Sequence, residues 1–421
     1  MSMPFSRWIP ACTAGLLAVA AQAASPLAEH YETAWAAQPE AQSLAAHRAA
    51  AEADARVAAA FTPEPPMLEF GERSDRWQAN SGFRERELGV AVPLWWPGER
   101  AGAQAVAAAT AAVLESSQVA ARLRLAGELR ERWWQWQAAQ VVAELAADRE
   151  TRTRQLATDV ARRVTAGELA PVDQLQAEAS VAVAEADRAA AEAELAAAVA
   201  TLQVLGGPLP TDDAAGRVAQ ATGRRNPGPA PASEPEPAAT ALAPDGHPAL
   251  VAARDRLREA EGALALATAQ RGANPELRLG STRERLSVGG PEERTLTLGL
   301  SLPLGGGYRR RADVARAEAA VDEARAALAL ETARLAAEGR AAEARVRAAR
   351  QRLTAQSARV RLAAQARTAR QIAFEAGETD LPTRLRAEGD AAEAEREAAL
   401  AGIELAAAIS AWRQALGLLP Q

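Results

Sequence analysis

The side chains that could do chemistry in this chain are few, and their types exclude more than they suggest. All 48 basic residues are arginine. A nucleotide-binding phosphate loop needs a lysine on the phosphates, and a Schiff-base enzyme needs one for its covalent link, so both are ruled out. His30, His47 and His247 are scattered, with neither a His-Glu-x-x-His motif nor other metal-ligand spacing. Gly305-Gly306-Gly307 lacks the third glycine of a dinucleotide fingerprint, and there is no Gly-x-Ser-x-Gly elbow. No enzymatic activity, cofactor or tightly held metal is therefore expected. What remains is a set of carboxylates in two short stretches, "VTAGELAPVDQL" at 164–175 and "FEAGETDLPTRL" at 374–385. Glu168, Asp173, Glu378 and Asp380 cannot form a core seam. Exposed, they can accept hydrogen bonds from a partner, concentrate cations by their field, or solvate a turn.

The elements that position these carboxylates occur twice. Gly167 and Gly377 are 210 residues apart, as are Glu168 and Glu378, and Leu175 and Leu385. Each glycine can adopt the left-handed conformation that ends a helix, and Pro171 or Pro382 stops the first helix from continuing. The echo extends outward. "QPEAQSLAAHRAAAEADARVAAA" near 38 corresponds to "HPALVAARDRLREAEGALALATA" near 247, and Val92-Pro93-Leu94 corresponds to Leu302-Pro303-Leu304. Order and spacing hold over nearly the whole chain, which marks a duplication. The expected parts are a leader at 1–23, a first repeat at 24–212, a Pro/Ala-rich linker at 213–246 and a second repeat at 247–421.

Each repeat holds strand-like sequence. In "TLTLGLSLPL", Leu296, Leu298, Leu300, Leu302 and Leu304 alternate with Thr295, Thr297, Gly299, Ser301 and Pro303. That is a period of two over about ten residues, the length of a tilted membrane strand. In the first repeat Leu88, Val90, Val92 and Leu94 alternate likewise, though the strands there read as short and interrupted by "SDRWQANSGFRER". A soluble hairpin with one face on a core gives the same pattern. Trp95 and Trp96 follow the strand end, where an aromatic belt at a membrane interface is expected. Four strands cannot close a barrel, and an open edge cannot sit in lipid, so strands in a membrane require several chains to share one barrel.

Long helices follow each strand pair. No proline interrupts the chain from about Gly98 to Val164, a span on the order of 100 Å as helix. Val314, Val321, Leu328 and Leu335 recur every seven residues, and Val346, Leu353 and Val360 resume the spacing, implying left-handed coiled packing. The alanine-rich composition, with 4% aromatic residues, suits close packing of such helices. Trp133, Trp134 and Trp136 read as packing residues rather than a stacking platform, and Arg309, Arg310 and Arg311 read equally as lipid contacts or a solvated face. The net charge of −6 argues against a nucleic-acid binder. Arg7, the apolar "IPACTAGLLAVA" and Ala21-Gln22-Ala23 read as an export signal with its cleavage site. Cys12 lies inside that core, preceded by a proline, so lipidation is not expected.

With these features in order, the sequence resembles the TolC-like outer-membrane efflux family. The motifs that carry the resemblance are the duplicated halves, "VPLWWPGER" and "LPLGGGYRRR" at the strand-to-helix passages, and the glycine-centred turns. Compact length and "RVTAGELAPVDQL" are most similar to the subgroup serving heavy-metal cation (RND-type) exporters. The resemblance implies a mainly α fold with a small β membrane part: a homotrimer with a twelve-stranded barrel in the outer membrane and a helical tunnel across the periplasm of a Gram-negative cell. It also implies a passive exit duct, docked to a periplasmic adaptor (membrane fusion) protein and an inner-membrane RND-type pump. On this reading Gly167, Glu168, Pro171, Asp173, Gly377, Glu378, Asp380 and Pro382 form the adaptor-docking tips. One departure is Thr383 before Leu385, where the first repeat has Asp173 before Leu175. The competing reading is a periplasmic adaptor or coiled-coil structural protein, with one hairpin and separate soluble β-domains.

Overall fold

The computed structural model describes residues 25–78, 80–206, 233–237, 244–304 and 307–421. The expected leader and most of the linker lie outside these residues. The elements run α1 (Pro26–Ala37), α2 (Pro39–Ala59), β1 (Met67–Ser74), β2 (Arg84–Pro93), α3 (Glu99–Thr165), α4 (Pro171–Gly206), α5 (Pro248–Ala269), β3 (Glu276–Arg285), β4 (Glu293–Ser301), α6 (Gly307–Glu375) and α7 (Leu381–Ala415). The protein is mainly α with one small antiparallel sheet.

The two helices that follow the strands dominate the shape. α3 has 67 residues and α6 has 69, so each is on the order of 100 Å long. Each folds back on its successor, α3 on α4 and α6 on α7, and α3 also packs on α5 and α7. The heptad positions of α6 are the ones that face inward. Val321 and Val346 are buried, and Val314, Leu328, Leu335, Leu353 and Val360 are half-buried between exposed neighbours. Where the helices meet α1, bulkier side chains fill the space: Tyr31, Leu129, Trp133, Trp134, Leu202 and Ile403 form one buried cluster. Trp134 Nε1 donates to Ser410 Oγ at 2.9 Å, and Trp133 meets Trp136 edge to face. The tryptophans are therefore core. Elsewhere alanine lines the seams, and arginine–carboxylate pairs such as Arg149–Asp187 and Arg352–Glu404 cross between helices.

The strands form one sheet in the order β1-β2-β3-β4, antiparallel throughout, so β2–β3 pairing joins the repeats. In the single chain both edges, β1 and β4, are unpaired. The register puts Leu68, Val90, Leu279 and Leu298 in one lateral row and Phe70, Leu88, Ser281 and Leu296 in the next. Residues directly opposite share a face, so the apolar residues of both repeats make one continuous face. The other face carries Glu69, Glu87, Arg278, Thr282, Thr295 and Thr297, with glycines between them.

Two strand expectations are corrected. β4 ends at Ser301 and β2 at Pro93, so Leu302, Leu304 and Leu94 lie beyond the strands, although the Leu94 N–H still donates to Pro275 O at 2.7 Å. Ser301 pairs with Glu276, the first residue of β3, and the next ladder donor would be Pro303, which has no N–H. The first-repeat strands are also as long as those of the second, at 8 and 10 residues against 10 and 9. Arg84, Glu85 and Arg86 are part of β2 and not of the interruption. Arg86 pairs with Glu72 and Arg73 with Glu85, so the charged ends continue the ladder.

Part of the linker is anchored. Ser233–Pro237 has no helix or strand, yet the carboxylate of Glu234 is buried between Arg130 of α3 and Arg413 of α7. Arg130 binds it with two parallel hydrogen bonds, at 2.8 and 2.7 Å. Burial pulls the Arg413 guanidinium below its ordinary pKa, Glu234 works against that, and Arg130 adds to it.

Candidate functional site

The residues singled out in the sequence fall at two ends of the molecule, separated by the length of α3. At one end are both glycine turns. Gly167 has φ +77° and Gly377 φ +76°. In each turn the glycine N–H returns to the carbonyl three residues back, and the following glutamate N–H returns to the carbonyl five residues back. Glu168 donates to Arg163 O at 2.9 Å, and Glu378 to Ala373 O at 2.8 Å. This pair of bonds is the Schellman closure, which satisfies the last helical carbonyls and requires the left-handed residue. Pro171 opens α4 as its first residue, where its missing N–H costs nothing. Pro382 is second in α7, after the N-cap Asp380.

The two turns use their carboxylates differently. Asp173, half-buried, accepts from the backbone N–H of Ala170 at 3.1 Å, reaching back from the third helical position. Asp380, exposed, accepts from the N–H of Thr383 at 3.1 Å, reaching forward from the cap. The departure at Thr383 is thus matched by a carboxylate moved to the other half of the capping arrangement. Hydrogen bonds from Thr383 hold the Asp380 carboxyl below its ordinary pKa. Glu168 and Glu378 are exposed and keep free carboxylates among the described residues.

Buried apolar residues lock the turns together, and these were missed in the sequence. Leu156, Val160, Ala177, Phe374 and Leu381 form a cluster drawn from all four long helices, with Leu169 and Leu385 against it. Arg163 and Arg384 lie over the ring of Phe374 at 5.3 and 4.9 Å. Arg384 is buried, and its Nε and Nη1 have no hydrogen-bond partner among the described residues. A groove of about 950 Å³ runs behind the turns, lined by Arg152, Arg163, Arg367 and Arg384 together with Asp159 and Glu388. The available signal was the pair of apolar residues flanking the second break, Phe374 and Leu381.

At the other end is the sheet. Leu296, Leu298 and Leu300 are 76, 73 and 58% exposed in the single chain, and Leu68, Phe70, Leu88, Val90 and Leu279 are also exposed. Leucines on one face of a sheet are normally its core; here no layer among the described residues covers them. Trp95 and Trp96 sit where β2 passes into α3, and both indoles are tied to the protein. Trp95 Nε1 donates to Ala60 O at 3.2 Å and Trp96 Nε1 to Ala273 O at 3.1 Å. They pin the passage between strand and helix. Arg310 donates to Thr268 O, while Arg309 and Arg311 are exposed. None of the described helices is long and apolar enough to cross a membrane. No group of three or more His, Cys, Asp or Glu among the described residues could hold a metal ion.

No family model matches the chain, and no curated protein matches it in sequence. Solved structures do match in shape. The outer-membrane protein VceC of Vibrio cholerae aligns with a TM-score of 0.71 at 19% identity, over 94% of this chain and 97% of its own. The open state of the MtrE outer-membrane channel of Neisseria gonorrhoeae gives 0.72 at 17%, over 94% and 90%. CusC, described for conformational changes accompanying folding and transmembrane channel formation, gives 0.75 at 16%, over 93% and 92%. The chain has the outer-membrane channel fold. The likeness extends over both repeats.

Proposed function

We propose that this protein is an outer-membrane exit duct: a homotrimer that passively conducts solutes from a periplasmic adaptor and an inner-membrane RND-type pump to the outside. The observation that carries this reading is the sheet. It has an uncovered leucine face and two unpaired edges, at the end of helices on the order of 100 Å long. A leucine face is stable when lipid covers it, and edges are tolerated in lipid when other strands close them. Three copies give the twelve strands of a closed barrel. Trp95 and Trp96 then stand at the periplasmic edge of the bilayer. The Gly167 and Gly377 turns become the periplasmic tips, where Glu168, Glu378 and the arginine-lined groove meet the adaptor. The leader expected at 1–23 supplies the route of export.

Heavy-metal cations are the substrate class we favour. The polar face of the sheet becomes the lumen of the barrel. There Glu85, Glu284 and Glu293 stand in one row, with Arg73 beside Glu85. Repeated three times, that ring would raise the local cation concentration without binding any ion tightly. The alternative, an adaptor or coiled-coil structural protein, calls for one hairpin and separate β-domains. The two hairpins and single shared sheet favour the duct. Extraction from outer-membrane fractions tests the reading: release only by detergent supports the duct, and release by salt or alkaline carbonate alone refutes it.

A further inference from the structure

The apolar face of the sheet does not end in neutral residues. One pleat beyond the Phe70-Leu88-Ser281-Leu296 row, on the same face, the lateral row is Glu72-Arg86-Arg283-Arg294, and the next holds Ser74, Arg84 and Arg285. Five arginines thus share a two-row patch with one carboxylate. Glu72 is near Arg86 at 3.3 Å and Arg84 at 3.7 Å. Arg283, Arg285 and Arg294 have no carboxylate within 4.0 Å among the described residues. Arg285 Nε is shut off from solvent without a hydrogen-bond partner. Adjacent strands lie about 4.8 Å apart, and like charges directly opposite one another destabilise a sheet. Arg86, Arg283 and Arg294 stand side by side on three successive strands and only Arg86 has a carboxylate partner, so an anion from outside the chain would offset the other two.

The geometry points to phosphate-bearing lipid headgroups as that anion, held by an arginine rim at the outer end of the barrel. This rests on the membrane reading above. The patch lies toward the strand ends joined by the 75–83 and 286–292 connections, away from the helices, and so in the leaflet facing the outside. Its first row is one pleat, about 6.6 Å, beyond the last leucines, the depth at which acyl chains give way to headgroups. A neighbouring copy of the chain could reach Glu72 on β1 or Arg294 on β4, which are edge strands. Its strands do not adjoin Arg86 or Arg283, which lie on the inner strands. Lipid can reach every member. Guanidinium forks bind phosphate oxygens in pairs, and their charge persists at any physiological pH.

Native mass spectrometry of the full chain in detergent tests the proposal, with diphosphoryl lipid A and the same lipid stripped of phosphate as probes. The wild type should prefer the phosphorylated lipid by roughly tenfold or more. R84Q/R86Q/R283Q/R285Q/R294Q should lose that preference with oligomeric state unchanged, and the five lysine substitutions should restore much of it. If the quintuple variant fails to assemble, R283Q/R285Q/R294Q, which removes only guanidiniums without ion pairs, should show the loss. Equal retention of both lipids by the wild type, or an unaltered preference in the glutamine variants, would overturn the proposal. So would displacement of the lipid by millimolar inorganic phosphate, which would mark a free-phosphate site. A chain that extracts without detergent and binds neither lipid would refute the membrane reading itself and the rim with it.

Discussion

At the scale of single residues, Gly167 and Gly377 hold the helix turns by conformation alone. A Cβ at either position would meet nothing within 4 Å, so substitution strains only the backbone, by roughly 1–2 kcal/mol per site. G167V/G377V should abolish export while trimers still reach the outer membrane, and the asparagine pair, which tolerates the left-handed region, should retain export. Normal export by the valine pair, with unchanged adaptor crosslinking, would remove these turns from the docking role. Asp380 gives a pH dependence. Its pKa is lowered in the folded chain, so its contribution is present above the ordinary aspartate value and lost as pH falls through the folded one. The protection factor of the Thr383 amide, the exchange rate corrected for its intrinsic pH dependence, should therefore fall on acidification in the wild type but stay nearly flat with pH in D380N. Glu234 is the third test. Replacing it by glutamine leaves two buried guanidiniums without their counter-charge, and such losses cost about 3–5 kcal/mol. The thermal midpoint of E234Q should drop clearly; an unchanged midpoint would mean the strap contributes little.

At the scale of elements, the two faces of β4 can be distinguished by neighbouring substitutions. L298R puts a charge on the face assigned to lipid, at a cost of about 2–4 kcal/mol near the bilayer midplane, whereas T297R points into the lumen and is tolerated. Folded, membrane-inserted protein should fall for L298R and not for T297R; the opposite result would invert the sheet. The elements were the most legible part of the sequence. Alternation in "TLTLGLSLPL" located β4 because every second residue is leucine, and the seven-residue spacing of Val314, Val321 and Leu328 located the seam of α6. Limits were set where one signal hid another. The charges of Arg84, Glu85 and Arg86 masked the first three residues of β2, because cross-strand ion pairs hold a ladder that hydropathy does not register. Prolines in the linker showed that no helix forms there but could not show that Glu234 is buried. That contact joins residues 104 and 179 positions apart. The helix turns were legible through their glycines and prolines, while the Phe374–Leu381 lock escaped notice because two apolar residues at a helix break have no period to reveal them.

At the scale of the whole molecule, every proposal depends on the single chain being incomplete. Among the described residues its sheet has two free edges and an uncovered leucine face. Three copies would satisfy the edges with one set of β4–β1 contacts, cover the leucines with lipid and turn the polar face into a lumen. The measurement that tests this most directly is the mass of the folded protein in detergent, by light scattering with the bound detergent subtracted. The account predicts three chains per particle across a range of protein concentrations. A stable, folded particle of one chain would contradict it.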